Sequence, residues 1–166
     1  MKFFKFLTMA TLIVNSGIAQ TNVKKVDLEK YSGKWFVIAT IPTAFDKNWN
    51  YVTETYTINN KGNIDIYTTY LKESDTKPRS VRSKGFPLKE TNNISWKVQF
   101  IWPFKADYLI EEIDPNYFYV VIGHPKKKFL YIMNRTGQMG QIQYEEILDR
   151  FSKKGYDLSK VRVVMQ

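Results

Sequence analysis

The sequence predicts an all-β fold: an eight-stranded antiparallel up-and-down β-barrel, with one C-terminal α-helix packed outside it and a short final strand. Three observations lead there. Beyond residue 34 the apolar residues recur mostly at every second position, the period of a half-buried strand and not of a helix. Turn-forming residues cut this pattern into eight short segments. Near the C-terminus the period changes once, to a single amphipathic stripe. Eight antiparallel strands deal with their edges best by closing on themselves, and a barrel of that size holds side chains or one small ligand.

The elements follow in order. Lys2 and Lys5 precede an apolar run, Phe6–Val14, then Asn15, Ser16 and the triplet Gly17-Ile18-Ala19. A charged start, a short apolar stretch and a small-x-small site describe a signal peptide, residues 1–19, cleaved after Ala19. The run is about half of the roughly 20 residues a membrane-spanning helix needs. Residues 20–30 are read as an N-terminal extension and residues 31–166 as the barrel domain. In the first strand Trp35, Val37, Ala39 and Ile41 alternate with Phe36, Ile38 and Thr40. In the second, Val52, Glu54, Tyr56 and Ile58 alternate with three threonines. After the turn Asn59-Asn60-Lys61-Gly62 come Ile64, Ile66, Thr68 and Tyr70. In the segment Ser80–Lys89, Arg82 and Lys84 face water, so Val81, Ser83 and Gly85 face inward. Trp96, Val98, Phe100 and Trp102 share one phase of the next strand, and Tyr108, Ile110 and Glu112 one phase of the sixth. The last hairpin is Tyr117–Gly123 and Lys128–Arg135. Tyr144, Ile147, Leu148 and Phe151 make the helical stripe, Gly155 is a natural stop, and Val161–Val164 is the final strand.

Composition removes several classes of function. With no Cys among 166 residues, disulfides, thiolate-held metals and thiol nucleophiles are excluded. The one histidine, His124, reads as an exposed turn residue, and no second imidazole exists to share a metal or complete a relay. No nucleophile elbow, phosphate loop or metal-binding His pair is present, so no cofactor is expected. The formal charge is +9, or +7 once the leader takes Lys2 and Lys5 away. The basic residues are scattered over outward strand phases and do not interleave with exposed aromatics, so nucleic acid is not an expected partner.

The inward phases nominate a cavity lining of Val37, Ala39, Glu54, Tyr56, Ile66, Tyr70, Trp96, Val98, Phe100, Trp102, Tyr108, Ile110, Glu112 and Tyr131. Glu54 and Glu112 stand out, because a carboxylate inside a barrel is costly unless paired, and burial raises its pKa. Each is a polar handle bonding a ligand hydroxyl or an internal Arg or Lys, a wet mouth position, or half of a structural pair with Tyr56 or Tyr108.

Leu28-Glu29-Lys30-Tyr31-Ser32-Gly33-Lys34-Trp35-Phe36-Val37-Ile38-Ala39 resembles the Gly-x-Trp motif of the lipocalins, in the form typical of the bacterial, apolipoprotein D-like group. Asp114, in Ile113-Asp114-Pro115-Asn116-Tyr117, resembles the family's second motif. Asn134-Arg135-Thr136 resembles the third, and Trp96–Phe104 the bacterial group's fifth strand with its Pro-Phe. The resemblance runs over residues 26–166 and implies structural roles for Gly33, Trp35, Asp114 and Arg135, with Trp35 plugging the closed end and Arg135 stacked on its indole. Bacterial relatives often carry a lipid-modified Cys, so its lack implies an exported protein, periplasmic or secreted, without a lipid anchor. The family's thiol-dependent isomerase activity cannot be carried over.

With Trp35 at the closed end, alternation puts the loops at 42–50, 72–79, 103–107 and 124–128 at the mouth. Phe45 and Trp49 could form a lid, and Lys126, Lys127 and Lys128 lead an excess of four positive charges over these loops. The reading is a non-catalytic carrier, a monomer or weak homodimer, for a small hydrophobic or anionic amphiphilic ligand such as a fatty acid or lysophospholipid. The alternatives are an enzyme acting on a lipid or isoprenoid with Glu54 and Glu112, and a basic protein in peripheral contact with a membrane surface.

Overall fold

A computed structural model describes residues 23–166; the leader at 1–19 lies outside the described residues. A short helix α1 (Leu28–Tyr31) precedes eight strands: β1 (Gly33–Ile41), β2 (Asn50–Ile58), β3 (Ile64–Leu71), β4 (Arg79–Pro87), β5 (Ser95–Ile101), β6 (Phe104–Ile113), β7 (Tyr119–Gly123) and β8 (Leu130–Asn134). Helix α2 (Gln141–Lys153) and strand β9 (Arg162–Val163) follow. Sequential strands pair antiparallel from β2 to β8, β8 pairs β1, and β1 pairs β2, which closes the barrel. Strand β9 lies outside the closure against Ala39 and Thr40 of β1. The eight-stranded barrel, the outer helix and the final strand are those expected from the apolar period.

The closed end is built around Trp35. Its indole is fully buried and donates from Nε1 to the Tyr31 carbonyl at 2.8 Å. Arg135, one residue past β8, lays its guanidinium 3.6 Å from the ring centroid. The same guanidinium donates to the carbonyls of Lys30, Tyr31, Ser32, Lys34 and Tyr117 at 2.7–3.3 Å. Arg135 thus caps the C-terminal carbonyls of α1, where a helix leaves acceptors unpaired and favours a cation. Gly33 has φ +97°, a conformation that strains any side chain, and a Cβ there would crowd Arg135 Nη1 at 3.3 Å. Asp27 caps α1 by accepting from Glu29 and Lys30. Asp114 holds the β6–β7 turn by accepting from the backbone of Asn116 and Phe118. Val26 is fully buried at this end, so the described part of the N-terminal extension is woven into the core.

Of the four register shifts in the barrel ladders, at 37/39, 50/53, 98/101 and 110/112, those in β1 and β6 turn expected lining residues outward. In β1 the register shifts between Val37 and Ala39. Val37 opposite Met133 faces the barrel core, whereas Ala39 opposite Ile132 faces outward beneath α2. Ala39 is therefore not a lining residue. In β6 the shift falls between Ile110 and Glu112. Glu112 is turned out of the barrel, where Arg150 of α2 meets it at 2.6 Å and the Tyr119 hydroxyl at 2.7 Å. A bulge inserts one residue and so inverts the phase beyond it.

A second core lies between the barrel wall and α2. Ile147 and Phe151 pack there with Ala39, Ile41, Val121, Leu130, Ile132 and Tyr156. Burying each of those two helix side chains contributes about 1.5–3 kcal/mol. The stripe at 144, 147, 148 and 151 faces this core, and Gly155 at φ +86° follows the helix. Beyond β9 the tail covers the upper β1–β2 seam: Gln166 donates to the carbonyls of Val37 and Val52 at 2.6 and 3.1 Å.

Arg135→Ala is expected to lower the unfolding free energy by about 2–4 kcal/mol, because a cation–π contact is lost and carbonyls of the closed end lose their donor. Arg135→Lys is expected to recover only part of that, since an ammonium lacks the guanidinium's planar fork. Urea denaturation of the three proteins checks both.

Candidate binding cavity

Above the closed end the barrel holds a cavity of about 300 Å³, at the small end of the usual range for ligand pockets. Val52, Ile66, Val98, Ile122 and Met133 supply much of its apolar wall. Gly85 leaves room below: a Cβ there would meet the Trp96 ring at 3.0 Å. Trp96 fills that space, stacked on Tyr108 at 5.2 Å and donating to the Asn93 carbonyl.

The floor is polar and continuous. Tyr31 and Tyr108 hydroxyls are 2.7 Å apart, and Tyr108 and Tyr56 hydroxyls 2.9 Å apart. The Tyr56 hydroxyl donates to Oε2 of Glu54. Each phenol has one proton to give. Once Tyr56 gives its proton to Glu54, the chain must run from Tyr31 through Tyr108 and Tyr56 to the carboxyl. Oε1 of Glu54 has no hydrogen-bond partner among the described residues. Burial pushes the Glu54 carboxyl up to about 7; the Tyr56 hydrogen bond opposes this and the Asp46 charge adds to it. Burial also raises Tyr31, Tyr56 and Tyr108, so the phenols stay neutral.

At the mouth, Asp46 of the β1–β2 loop accepts from the Thr43 backbone at 2.8 Å and from the Tyr131 hydroxyl at 2.8 Å. This ties the loop to β8. Trp49, in the same loop, stacks on Tyr70 with centroids 3.6 Å apart and planes 5° apart. Phe45, 60% exposed, meets the Trp49 edge at 5.2 Å. The lid residues therefore sit over the cavity that they also line. Trp49 Nε1 and Ser83 Oγ, both on lining residues, are buried without partners among the described residues.

Glu54, Tyr56, Ile66, Val98, Phe100, Tyr108 and Tyr131 line the cavity. Val37, Trp96 and Ile110 lie in the core beneath it, and Tyr70 backs the lid. Trp102 does not line it: β5 ends at Ile101, Trp102-Pro103 makes the hairpin tip, and the indole is 83% exposed. Lys126 and Lys128 are exposed on the β7–β8 loop, but Lys127 turns to the outer face, 2.9 Å from Glu111 and over the Tyr156 ring. Burial would raise Glu111, but bonds from Tyr156 and Lys127 and the Lys154 charge hold it below the ordinary range. His124 is buried rather than exposed: Nδ1 accepts from the Lys126 backbone, and burial and the Lys128 charge depress its pKa. The barrel wall separates Glu54 from Glu112, so the two cannot act as a pair on one substrate.

Thr43, Asp46, Val52, Thr68, Ser83, Ile101, Ala106, Asp107, Ile122, Phe129 and Met133 also line the cavity, beyond the sequence-based lining. Phe129 and Met133 share the odd phase of Tyr131 and were detectable from it; the loop residues had no periodicity to betray them.

A family model described as a lipocalin-like domain matches residues 26–166. Temperature-induced lipocalin-1 of Arabidopsis thaliana is 32% identical over 155 residues, covering 87% of this chain and 81% of the relative. Outer membrane lipoprotein Blc of Vibrio cholerae is 24% identical over 166 residues, covering 97% of each. Among solved structures, insecticyanin from the tobacco hornworm Manduca sexta superposes with a TM-score of 0.68 at 15% identity, covering 87% of this chain and 82% of that one.

The raised Glu54 pKa has a sign that can be measured. A carboxyl whose pKa is higher folded than unfolded contributes stability that is full below about pH 4.3 and lost as pH rises through about 7. Glu54→Gln is therefore expected to match the wild type near pH 4 and to exceed it by on the order of 3 kcal/mol near pH 8. Denaturation curves of both proteins at the two pH values check this.

Proposed function

The chain belongs to the lipocalin family, and on that premise we propose that it binds and carries a small, mainly hydrophobic ligand inside its barrel. The observation that carries this reading is the apolar-walled cavity of about 300 Å³, shut at one end by Trp35 and Arg135 and lidded at the other by Phe45 and Trp49. Apolar surface buried there contributes roughly 25 cal/mol per Å² before the costs of ordering the ligand. The charged side chains that line the cavity are acidic: Asp46, Glu54 and Asp107. The anionic head of a fatty acid or lysophospholipid would accordingly stay at the rim, beside Lys126 and Lys128, with its tail inside. The leader-like residues 1–19 and the kinship with an outer membrane lipoprotein support a cell-envelope or secreted setting.

Titration with a fatty acid or lysophospholipid is expected to give saturable one-to-one binding and a change in Trp49 fluorescence. Ala106→Trp, which narrows the mouth without touching the buried core, is expected to weaken binding about tenfold. Calorimetry that stays silent for a folded protein would contradict the reading.

A second reading, contact with a membrane surface, rests on the β5–β6 hairpin tip. Trp102 is 83% and Phe104 75% exposed there, with Lys105 next in the chain. Exposed apolar patches beside cations suit an anionic bilayer. Replacing Trp102 and Phe104 by Ser is expected to abolish sedimentation with anionic vesicles and to leave soluble-ligand affinity unchanged. Equal sedimentation of both proteins rules the contact out.

A further inference from the structure

Three carboxyl groups line the cavity, and no Lys, Arg or His does among the described residues. Glu54 meets the lower cavity from β2. The titratable groups around it are Tyr56 on the same strand, Tyr108 from β6, Tyr31 from α1, Tyr131 from β8 and Asp46 from the β1–β2 loop. Arg135 lies beneath the floor, against Trp35, with its donors engaged by backbone carbonyls. The three floor phenols cannot turn their protons toward a ligand while the chain Tyr31–Tyr108–Tyr56 feeds Glu54. Oε1 of Glu54 is the acceptor left over.

Resting on the reading that this cavity binds a hydrophobic molecule, we infer that its deep end is a site for a cationic amine: a hydrophobic primary amine enters head first, and its ammonium donates to Glu54 between Tyr56 and Tyr108. The ammonium has only donors; at the floor the phenol protons are committed and Oε1 of Glu54 accepts, and the unpartnered Ser83 hydroxyl of the wall can accept as well. A carboxylate placed there would meet the ionised Glu54 as a like charge, with no Lys, Arg or His lining the cavity to offset it among the described residues. An alcohol of the same chain length can donate one neutral hydrogen bond, which is weaker than a charge-assisted one. Amines and carboxylates thus bind in opposite senses, the first with the polar end down and the second with it up at the lysines of the rim.

Decylamine, 1-decanol and decanoate share one chain and differ at the head, so their affinities separate the head from the tail. Near pH 8 the amine is protonated and Glu54 ionised. There decylamine is expected to bind roughly tenfold or more tightly than 1-decanol, with decanoate weakest. Glu54→Gln is expected to remove the amine's advantage, change 1-decanol little and improve decanoate; near pH 5.5 the wild type is expected to behave like the variant. Tyr56→Phe, which frees Oε2 but removes the bond that holds the Glu54 pKa down, is expected to keep the amine preference and to lose it at a higher pH than the wild type does. Should decylamine bind no better than 1-decanol, or keep its affinity in Glu54→Gln, the inference is overturned while the carrier reading stands. Should none of the three bind to folded protein, both fall together.

Discussion

Arg135 is the residue on which the rest of the molecule depends. One planar cation covers the Trp35 indole and gathers carbonyls from α1, from the start of β1 and from the β6–β7 turn. The β6–β7 turn is distant in the chain from α1 and β1, and Arg135 joins them alongside the Asp27 N–H bond to the Tyr117 hydroxyl and the buried Val26 and Tyr31. A cation–π contact and a set of hydrogen bonds to a single side chain solve two problems together: they shut the barrel and satisfy acceptors that a short helix would leave buried and unpaired. Burial depresses the Arg135 pKa, but a guanidinium keeps its charge at any pH the fold survives. A barrel shut at one end has one floor and one mouth, and every statement about the cavity follows from that asymmetry.

The same economy does not extend to the floor itself. Glu54 is half-buried at the cavity floor without a cation, stabilised by one phenol and opposed by the nearby Asp46. Buried carboxyls of purely structural use look different in this protein. Glu112 has Arg150 and Tyr119, and Glu111 has Lys127, Lys154 and Tyr156. An uncompensated acid among apolar walls is a place where fold and function pull apart, and perturbed carboxyls of that kind gather at sites. Trp49 Nε1 and Ser83 Oγ, buried and unpartnered on the same cavity wall, belong to the same pattern.

Much of this was legible from periodicity. The strand count, the outer helix and the inward phases of β2, β3 and β5 all follow from alternation, because residues 52, 54 and 56 or 96 and 98 have no other way to share a face. The bulges were not legible. Val37-Ile38-Ala39 is apolar throughout, so nothing in it marks where the extra residue falls, and Ala39 lies on the side opposite to the one its alternation predicts. At β6 two adjacent glutamates hid the shift, since either could have been the inward one. Trp102 continued the alternation of Trp96, Val98 and Phe100 but lies past the end of the ladder, where Pro103 turns the chain. His124 looked exposed because it sits in a loop; its burial comes from Phe129 and the Tyr156 hydroxyl, two contacts no local pattern encodes. Loop residues such as Asp46 reach the cavity through tertiary hydrogen bonds that periodicity does not see.

The central claim is that a closed-ended barrel with an acid at its floor holds one small hydrophobic molecule. Native mass spectrometry of the protein taken from its own source, without denaturation, tests this most directly. The account predicts a one-to-one non-covalent adduct that dissociates on activation and whose mass is that of a small lipid-like molecule. A folded protein that arrives bare, and stays bare after incubation with hydrophobic amines, alcohols and fatty acids, would contradict it.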